Sequence, residues 1–176
     1  MPTAFALVIP HSWSEYDLNG AHLAQAWAQA RREATTDGER VAVDDAYGQA
    51  DELLRAFAGR GALAAAGLVE PHDEGLLMAF VAVFALTDVD DLRGMSTVDL
   101  AGVGYGFRIS GTRTVPVAGA QVPLYSMSTA IPVPGRPSEM LLVTAVSPNV
   151  TEATELAGLF ATITGTLRFL EPSTGR

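Results

Sequence analysis

The sequence predicts an α+β fold, a single domain in which an antiparallel β-sheet of about six to seven strands carries packed helices. Apolar side chains recur at helical spacing in residues 23–66, and turn residues separate short apolar segments in residues 67–147. Residues 150–170 then return to a helix followed by a short strand. Segregated helices and strands are typical of an antiparallel sheet. We predict that the domain spans residues 1–172, with residues 173–176 as a tail.

Two helices are predicted in the first third of the chain. The first places Leu23, Trp27 and Ala30 on one face and ends before the turn pair Asp37-Gly38. The second begins near Asp44-Asp45, because carboxylates suit the positive end of a helix. Its apolar stripe consists of Ala46, Ala50, Leu53, Leu54, Phe57 and Ala58.

Strand-like segments follow the helices. Residues 68–70 and 76–86 flank a loop of turn formers and predict a β-hairpin. Further strands are predicted at residues 98–110, 122–132 and 140–147. The residues that separate them are Gly111, Gly119 and Pro134-Gly135.

Two short hydrophobic strands bracket the chain. The first covers residues 4–9 and stops at a proline, which has no N–H for a ladder. Residues 150–164 predict a helix with Asn149 or Thr151 as its cap, and residues 166–170 predict the last strand. We expect the two terminal strands to lie in one antiparallel sheet with this helix packed on it.

The charge and the missing residue types exclude several functions. The net charge of -9 opposes nucleic acid as a partner, because phosphates demand a cationic surface. All 11 positive side chains are arginine, so no lysine is present for a Schiff base or a phosphate-binding loop. The absence of cysteine excludes disulfides, thiolate nucleophiles and cysteine-ligated metals.

The apolar segments are short for a membrane protein. The longest run, residues 76–86, is well below the roughly 20 residues that cross a bilayer. No basic residues precede the apolar N-terminal stretch, so it does not resemble a secretory signal. We therefore predict a cytoplasmic protein without membrane insertion, and export by a signal-less route is the alternative.

The histidines are the first candidates for acid–base or metal chemistry. They are His11, His22 and His72. His72 lies in the acidic loop 70–74, which is more typical of a solvated turn than of a cation site. The cluster of Asp88, Asp90 and Asp91 lacks the spacing of an EF-hand and favours a solubilising role. We predict no catalytic residue, no cofactor and no metal site.

Two other motifs carry little chemical signal. Residues 102–106 are rich in glycine, but residues 107–110 continue an extended pattern where a dinucleotide-binding loop would open a helix. Small residues in a strand or a bulge are therefore favoured. The Gly-x-Ser-x-Gly turn of serine hydrolases does not occur. A triad of a serine with His11 or His72 and an aspartate is the weaker alternative.

A candidate interaction face lies in the strands predicted around residues 105 and 125. Its residues are Tyr105, Arg108, Arg113 and Tyr125. Aromatic and arginine side chains are enriched at protein interfaces. The alternative interpretation places Phe107 and Ile109 in the core and leaves Tyr105 and the arginines as ordinary solvated positions.

Both ends of the chain resemble a known fold. The residues that carry the resemblance are Ile9-Pro-His-Ser-Trp13, Leu-Leu-Val-Thr-Ala-Val-Ser-Pro-Asn at 141–149, Leu-Phe-Ala-Thr-Ile at 159–163 and Thr-Leu-Arg-Phe at 166–169. They are similar to the α/β sandwich of the photosystem extrinsic protein PsbP, of a Ran-binding nuclear import factor and of mycobacterial LpqN-type lipoproteins. Actinobacterial proteins of this design look closer still. The lipid-attachment cysteine of the lipoproteins is missing here.

This resemblance implies a PsbP-like α/β/α sandwich that acts through its surfaces. Together with the absent catalytic signatures, it predicts a noncatalytic module for protein binding or assembly, whose partner is another protein or a second copy of the chain. The alternative is a small-ligand-binding protein or a weak hydrolase that uses a pocket between the sheet and the N-terminal helices.

Overall fold

The computed structural model describes residues 4–72, 75–87, 92–117 and 119–171. Three α-helices and nine β-strands lie in these ranges. The helices are α1 (Ala21–Glu33), α2 (Asp37–Gly59) and α3 (Ala153–Gly165). The strands are β1 (Phe5–Ala6), β2 (Ser14–Tyr16), β3 (Ala62–His72), β4 (Gly75–Thr87), β5 (Ser96–Leu100), β6 (Gly104–Val117), β7 (Ala120–Val133), β8 (Arg136–Ser147) and β9 (Arg168–Phe169).

Seven strands form one sheet in the order β2-β3-β4-β8-β7-β6-β5. Every pairing in it is antiparallel, and the helices pack on it from both faces. The predicted α+β fold class and strand number are therefore confirmed, as is the hairpin now seen as β3 and β4. Among the described residues, no helix has the length and apolarity to cross a membrane.

Helices α1 and α2 cover one face of the sheet, which we call the α2 face. Phe57 of α2 meets Phe84 of β4 edge to face, with ring centroids 6.0 Å apart. Helix α1 packs mainly on α2, where Trp27 stacks on Tyr47 at 6.2 Å and donates a hydrogen bond to Asp44 at 2.8 Å. The stack and the hydrogen bond hold the two helices against each other.

Helix α3 and the N-terminal strap, residues 4–9, cover the opposite face, which we call the α3 face. Phe160 of α3 is fully buried and packs over β7. In the strap, Phe5, Leu7 and Ile9 pack on the apolar core while the residues between them are exposed. The strap therefore covers apolar core residues with every second side chain.

The terminal strands do pair with each other, but they form their own two-stranded sheet apart from the large one. Phe5 lies opposite Phe169, and Ala6 opposite Arg168. The predicted helix at 150–164 packs on β7 and β8 of the large sheet instead. The predicted first strand is also shorter, because beyond Ala6 the strap crosses the sheet face, where no strand of the described ranges lies beside it. β2 was not predicted from the sequence.

Helix α2 begins earlier than the sequence predicted. Thr36 caps it by accepting a hydrogen bond from the N–H of Glu39, and the Glu39 carboxylate accepts from the N–H of Thr36. This reciprocal capping box satisfies amides that a helix start leaves unpaired. The pair Asp37-Gly38 therefore opens the helix, although it was expected to form a turn.

The strand predicted at 98–110 is a hairpin of β5 and β6. A turn at residues 101–103 reverses the chain, and Gly104 follows it with a φ of 95° that favours glycine. Gly106 lets the backbone of β7 approach, since a Cβ there would lie 3.0 Å from the carbonyl oxygen of Ala130. The glycines of this region serve strand packing, as expected.

Asn149 is not the cap of α3. A short 3₁₀ turn, Val150–Glu152, precedes the helix, and neither of these starts has a side-chain cap. The Asn149 side chain instead accepts a hydrogen bond from the N–H of Met78 at 2.8 Å and donates one to the carbonyl of Leu76 at 3.0 Å. These two hydrogen bonds continue the contact between β8 and β4 past the last residue of β8.

Candidate functional site

The four predicted interface residues lie on β6 and β7 and divide between the two faces of the sheet. β6 and β7 pair, and Thr112 lies opposite Tyr125. Because side chains alternate along a strand, Tyr105 and Arg113 lie on the α2 face while Arg108 and Tyr125 lie on the α3 face. The four side chains therefore do not share one surface.

The two residues on the α3 face are largely enclosed. Tyr125 is 7% exposed and stacks on Phe160 at 6.0 Å. The Arg108 Nε donates to the Oγ1 of buried Thr129 at 3.0 Å, while its Nη2 is buried without a hydrogen-bond partner. Burial lowers the pKa of Arg108. Tyr125 therefore belongs to the core, and Arg108 borders it.

The two residues on the α2 face are exposed, and of the two only Tyr105 lies beside β5. Tyr105 is 48% exposed and meets Phe107 edge to face at 5.7 Å. Ile109, on the same face, is also 48% exposed, and Arg113 is exposed two positions past Gly111. Exposed apolar side chains on successive odd positions of one strand form a short apolar row that ends at a positive charge.

Strand β6 has a long free edge. β5 pairs with it only as far as Arg108, which lies opposite Ser96. Beyond that pair, no strand of the described ranges lies along the outer side of residues 109–117. Residues 109–114 are all exposed. Unpaired backbone N–H and C=O groups on such an edge can pair with another strand.

The direction of these backbone groups follows from the hairpin turn. Val117 and Ala120 close the β6–β7 hairpin as a pair, and a closing pair exchanges its hydrogen bonds within the hairpin. Because the direction of the backbone N–H and C=O groups alternates along a strand, those of Ser110, Thr112 and Thr114 point outward, away from β7. The same alternation places the backbone nitrogens of Pro116 and Pro123 outside the β6–β7 ladder, where proline is tolerated.

Two of the three histidines, His22 and His72, contact different carboxylates. His22 Nδ1 lies 3.8 Å from Asp17, and His72 Nε2 lies 3.8 Å from Glu152. Within the described part of the chain, no group of three histidine or acidic side chains converges as a metal site would require. The remaining acidic candidates, Asp73, Glu74, Asp88, Asp90 and Asp91, lie outside the described residues.

A depression of about 260 Å³ lies between α2 and the start of β4, on the face where the sequence predicted a pocket. Its lining includes Ala42, Asp45, Gln49, Met78 and Asn149. No serine or histidine is among its described lining residues. Hydrolysis by a triad needs a nucleophile and a base within hydrogen-bonding reach, and this depression offers neither.

The free edge escaped the sequence analysis because Gly111 was interpreted as a turn. That glycine lies inside β6, opposite Ser126. The residues after Gly111 did indicate that the strand continues, because Thr112, Thr114 and Val115 favour strands. The sequence also partly indicated that the four interface residues divide between two faces. Tyr105 and Arg113 occupy odd positions and Arg108 an even one, and side chains at odd and even positions of a strand point to opposite faces.

Comparison with known proteins assigns no family. A scan against protein-family models found no match to this chain, and a search of curated proteins found no match either. Function is therefore inferred from the geometry of the described residues.

Proposed function

We propose that the protein is a noncatalytic assembly module that associates with a second copy of itself through the free edge of β6. The observation that carries this proposal is the unpaired stretch at residues 109–115, which is exposed as far as Thr114. It is bounded by the last residue that pairs with β5, Arg108, and by Pro116, which lacks the outward N–H for a further hydrogen bond.

The bounded stretch is self-complementary about its midpoint, Thr112. In an antiparallel dimer with a two-fold axis at this residue, Ile109 lies opposite Val115 of the second copy. Arg113 lies opposite Gly111 of the second copy, where no side chain opposes it. Apolar cross-strand pairs stabilise a sheet by about 0.2–1 kcal/mol each, and the outward backbone groups gain partners along the whole stretch.

Neighbouring registers are less favourable. A two-fold axis at Arg113 sets that guanidinium against its own copy, and like charges directly opposite are destabilising. An axis at Gly111 sets Ile109 against Arg113 of the second copy. The register centred on Thr112 avoids both pairings.

The PsbP-like resemblance of the chain ends supports the same function, because proteins of that design mostly act through their surfaces. The net charge of -9 makes a phosphate-rich partner unfavourable. We assign this dimer to the cytoplasm as part of the proposal.

Sedimentation velocity over a concentration series tests the proposal. We expect the wild-type protein to shift from monomer to dimer as its concentration rises. Thr112→Pro removes the central outward N–H and should leave a monomer at every concentration. Thr112→Val keeps that N–H and the strand preference, so it should dimerise like the wild type. A wild-type protein that stays monomeric throughout contradicts the proposal.

A second pair of variants tests the apolar contact. Ile109→Asp places a charge opposite Val115 of the second copy and should abolish the dimer. Leu63→Asp is the matched control, because Leu63 is 50% exposed on β3, towards the other end of the sheet order from β6. Equal loss of dimer in both variants would show that the contact lies elsewhere. Circular dichroism verifies that each variant is folded.

A further inference from the structure

An apolar cleft lies on the α3 face, between the N-terminal strap and strands β3 and β4. Its volume is about 340 Å³, within the range of about 300–1,000 Å³ that small-molecule sites occupy. Leu7 and Ile9 of the strap form one wall, and Val81 and Val83 of β4 form the other. The cleft therefore offers a small molecule an apolar seat.

The small side chains of β3 create this space. Ala64 lies opposite Val83 in the β3–β4 ladder and is half-buried in the cleft. The strap above it is fastened mainly at its start, where Phe5 pairs with Phe169, and at Val8, whose N–H donates to Thr166 at 2.9 Å. Beyond Ala6, no strand of the described residues pairs with the strap.

One charged group belongs to the lining. Glu15 of β2 lies opposite Ala66 of β3, and its side chain is exposed at the cleft. Its carboxylate has no hydrogen bond or ion pair with the described residues. Of the described lining residues, the others are uncharged and apolar. Among the described residues, the cleft thus joins an apolar wall to a single negative charge that none of them pairs.

We propose that this cleft is a binding site for a small ligand with an apolar body and a positively charged amine. The apolar body occupies the space between the strap and Ala64, and the ammonium group pairs with Glu15. This site is independent of the proposed assembly edge, because β2 and β3 lie at one end of the sheet order and β6 and β5 at the other.

Isothermal titration with three probes of equal chain length tests the ligand class. We expect n-octylamine to bind more tightly than 1-octanol, and octanoate to bind most weakly. Glu15→Gln should weaken octylamine binding about three-fold, the effect of one partly solvated ion pair, and leave octanol unchanged. Glu155→Gln removes an equal charge on α3 and serves as the control.

A filling variant and a chain-length series test the apolar seat. Ala64→Leu should abolish binding of all three probes, and Ala64→Val covers the case in which the leucine variant does not fold. Each methylene removed from the amine should weaken binding about four-fold, the value of one buried methylene. Absence of octylamine binding, or an affinity that ignores both Glu15 and the headgroup charge, overturns the proposal.

Discussion

Tyr16 couples the stability of the α2 face to alkaline pH. Its side chain is buried, and its ring lies 6.2 Å from that of Phe80. Burial, with a smaller effect from Tyr47, raises the pKa of Tyr16 from 10.0 to about 12. Burial also raises the pKa of Tyr47, with a contribution from Glu33. The folded protein therefore resists ionisation that the unfolded chain undergoes readily.

The pH dependence of the free energy of unfolding follows from this shift. A raised pKa stabilises the fold fully below the ordinary value of 10.0, and that contribution is lost as the pH rises to about 12. We expect a loss of about 2 kcal/mol from Tyr16 across this window. Urea titrations at several pH values measure it. Tyr16→Phe should lose much less over the same window, and equal losses in both proteins contradict the assignment.

Asn149 shows why some residue roles escape sequence reasoning. An asparagine before a helical stripe is a common cap, and the sequence gives no sign of a different role. Pro148 has no N–H, and its carbonyl accepts a hydrogen bond from the N–H of Val150, so the side chains of Ser147 and Asn149 pair with the carbonyl and the N–H of Met78. Only the register of β4 and β8, set by distant residues, brings these groups together.

At the scale of elements, close contact between β3 and β4 depends on Gly67. It lies opposite Phe80. A Cβ at this position would lie 2.3 Å from the Phe80 ring and 2.7 Å from the carbonyl oxygen of Ala79. The ring can turn aside only at a cost, and the backbone oxygen belongs to the ladder. The glycine is therefore a packing requirement of the hairpin.

Gly67→Ala should destabilise the protein by about 3 kcal/mol, since overpacking against backbone forces the strands apart. Gly158→Ala is the control, because nothing lies within 4 Å of a Cβ there and the residue is inside α3. It should stabilise the protein by up to about 1 kcal/mol. Chemical denaturation measures both values. A tolerated Gly67→Ala would show that the ladder can yield at this point.

The predictability of the elements follows their length and periodicity. The long apolar run of β4 and the stripe of α3 carry enough signal to place them. β2 is three residues long and has no measurable period, whereas β9 lies within the strand predicted at residues 166–170. Tyr125 was assigned to a surface because its face depends on the β6–β7 register and on Phe160, neither of which the local sequence specifies.

At the scale of the whole molecule, the two ends of the sheet have different proposed roles. The β2 and β3 end carries the apolar cleft with Glu15, and the β6 end carries the free edge. Dimerisation at that edge would join two large sheets into one and leave both clefts open at its far ends. The proposed dimer depends on the register centred on Thr112, because that register determines which residues of the two copies meet.

Disulfide cross-linking tests that register most directly. The natural chain has no cysteine, so a single introduced thiol reports one position. Thr112→Cys lies on the proposed two-fold axis, where the Cα separation of about 5.5 Å suits a disulfide. We expect the Thr112→Cys variant to form a disulfide-linked dimer under mild oxidation. Thr114→Cys faces Ser110 of the second copy, so that variant should stay uncross-linked. Equal cross-linking of both variants, or none in either, contradicts the account.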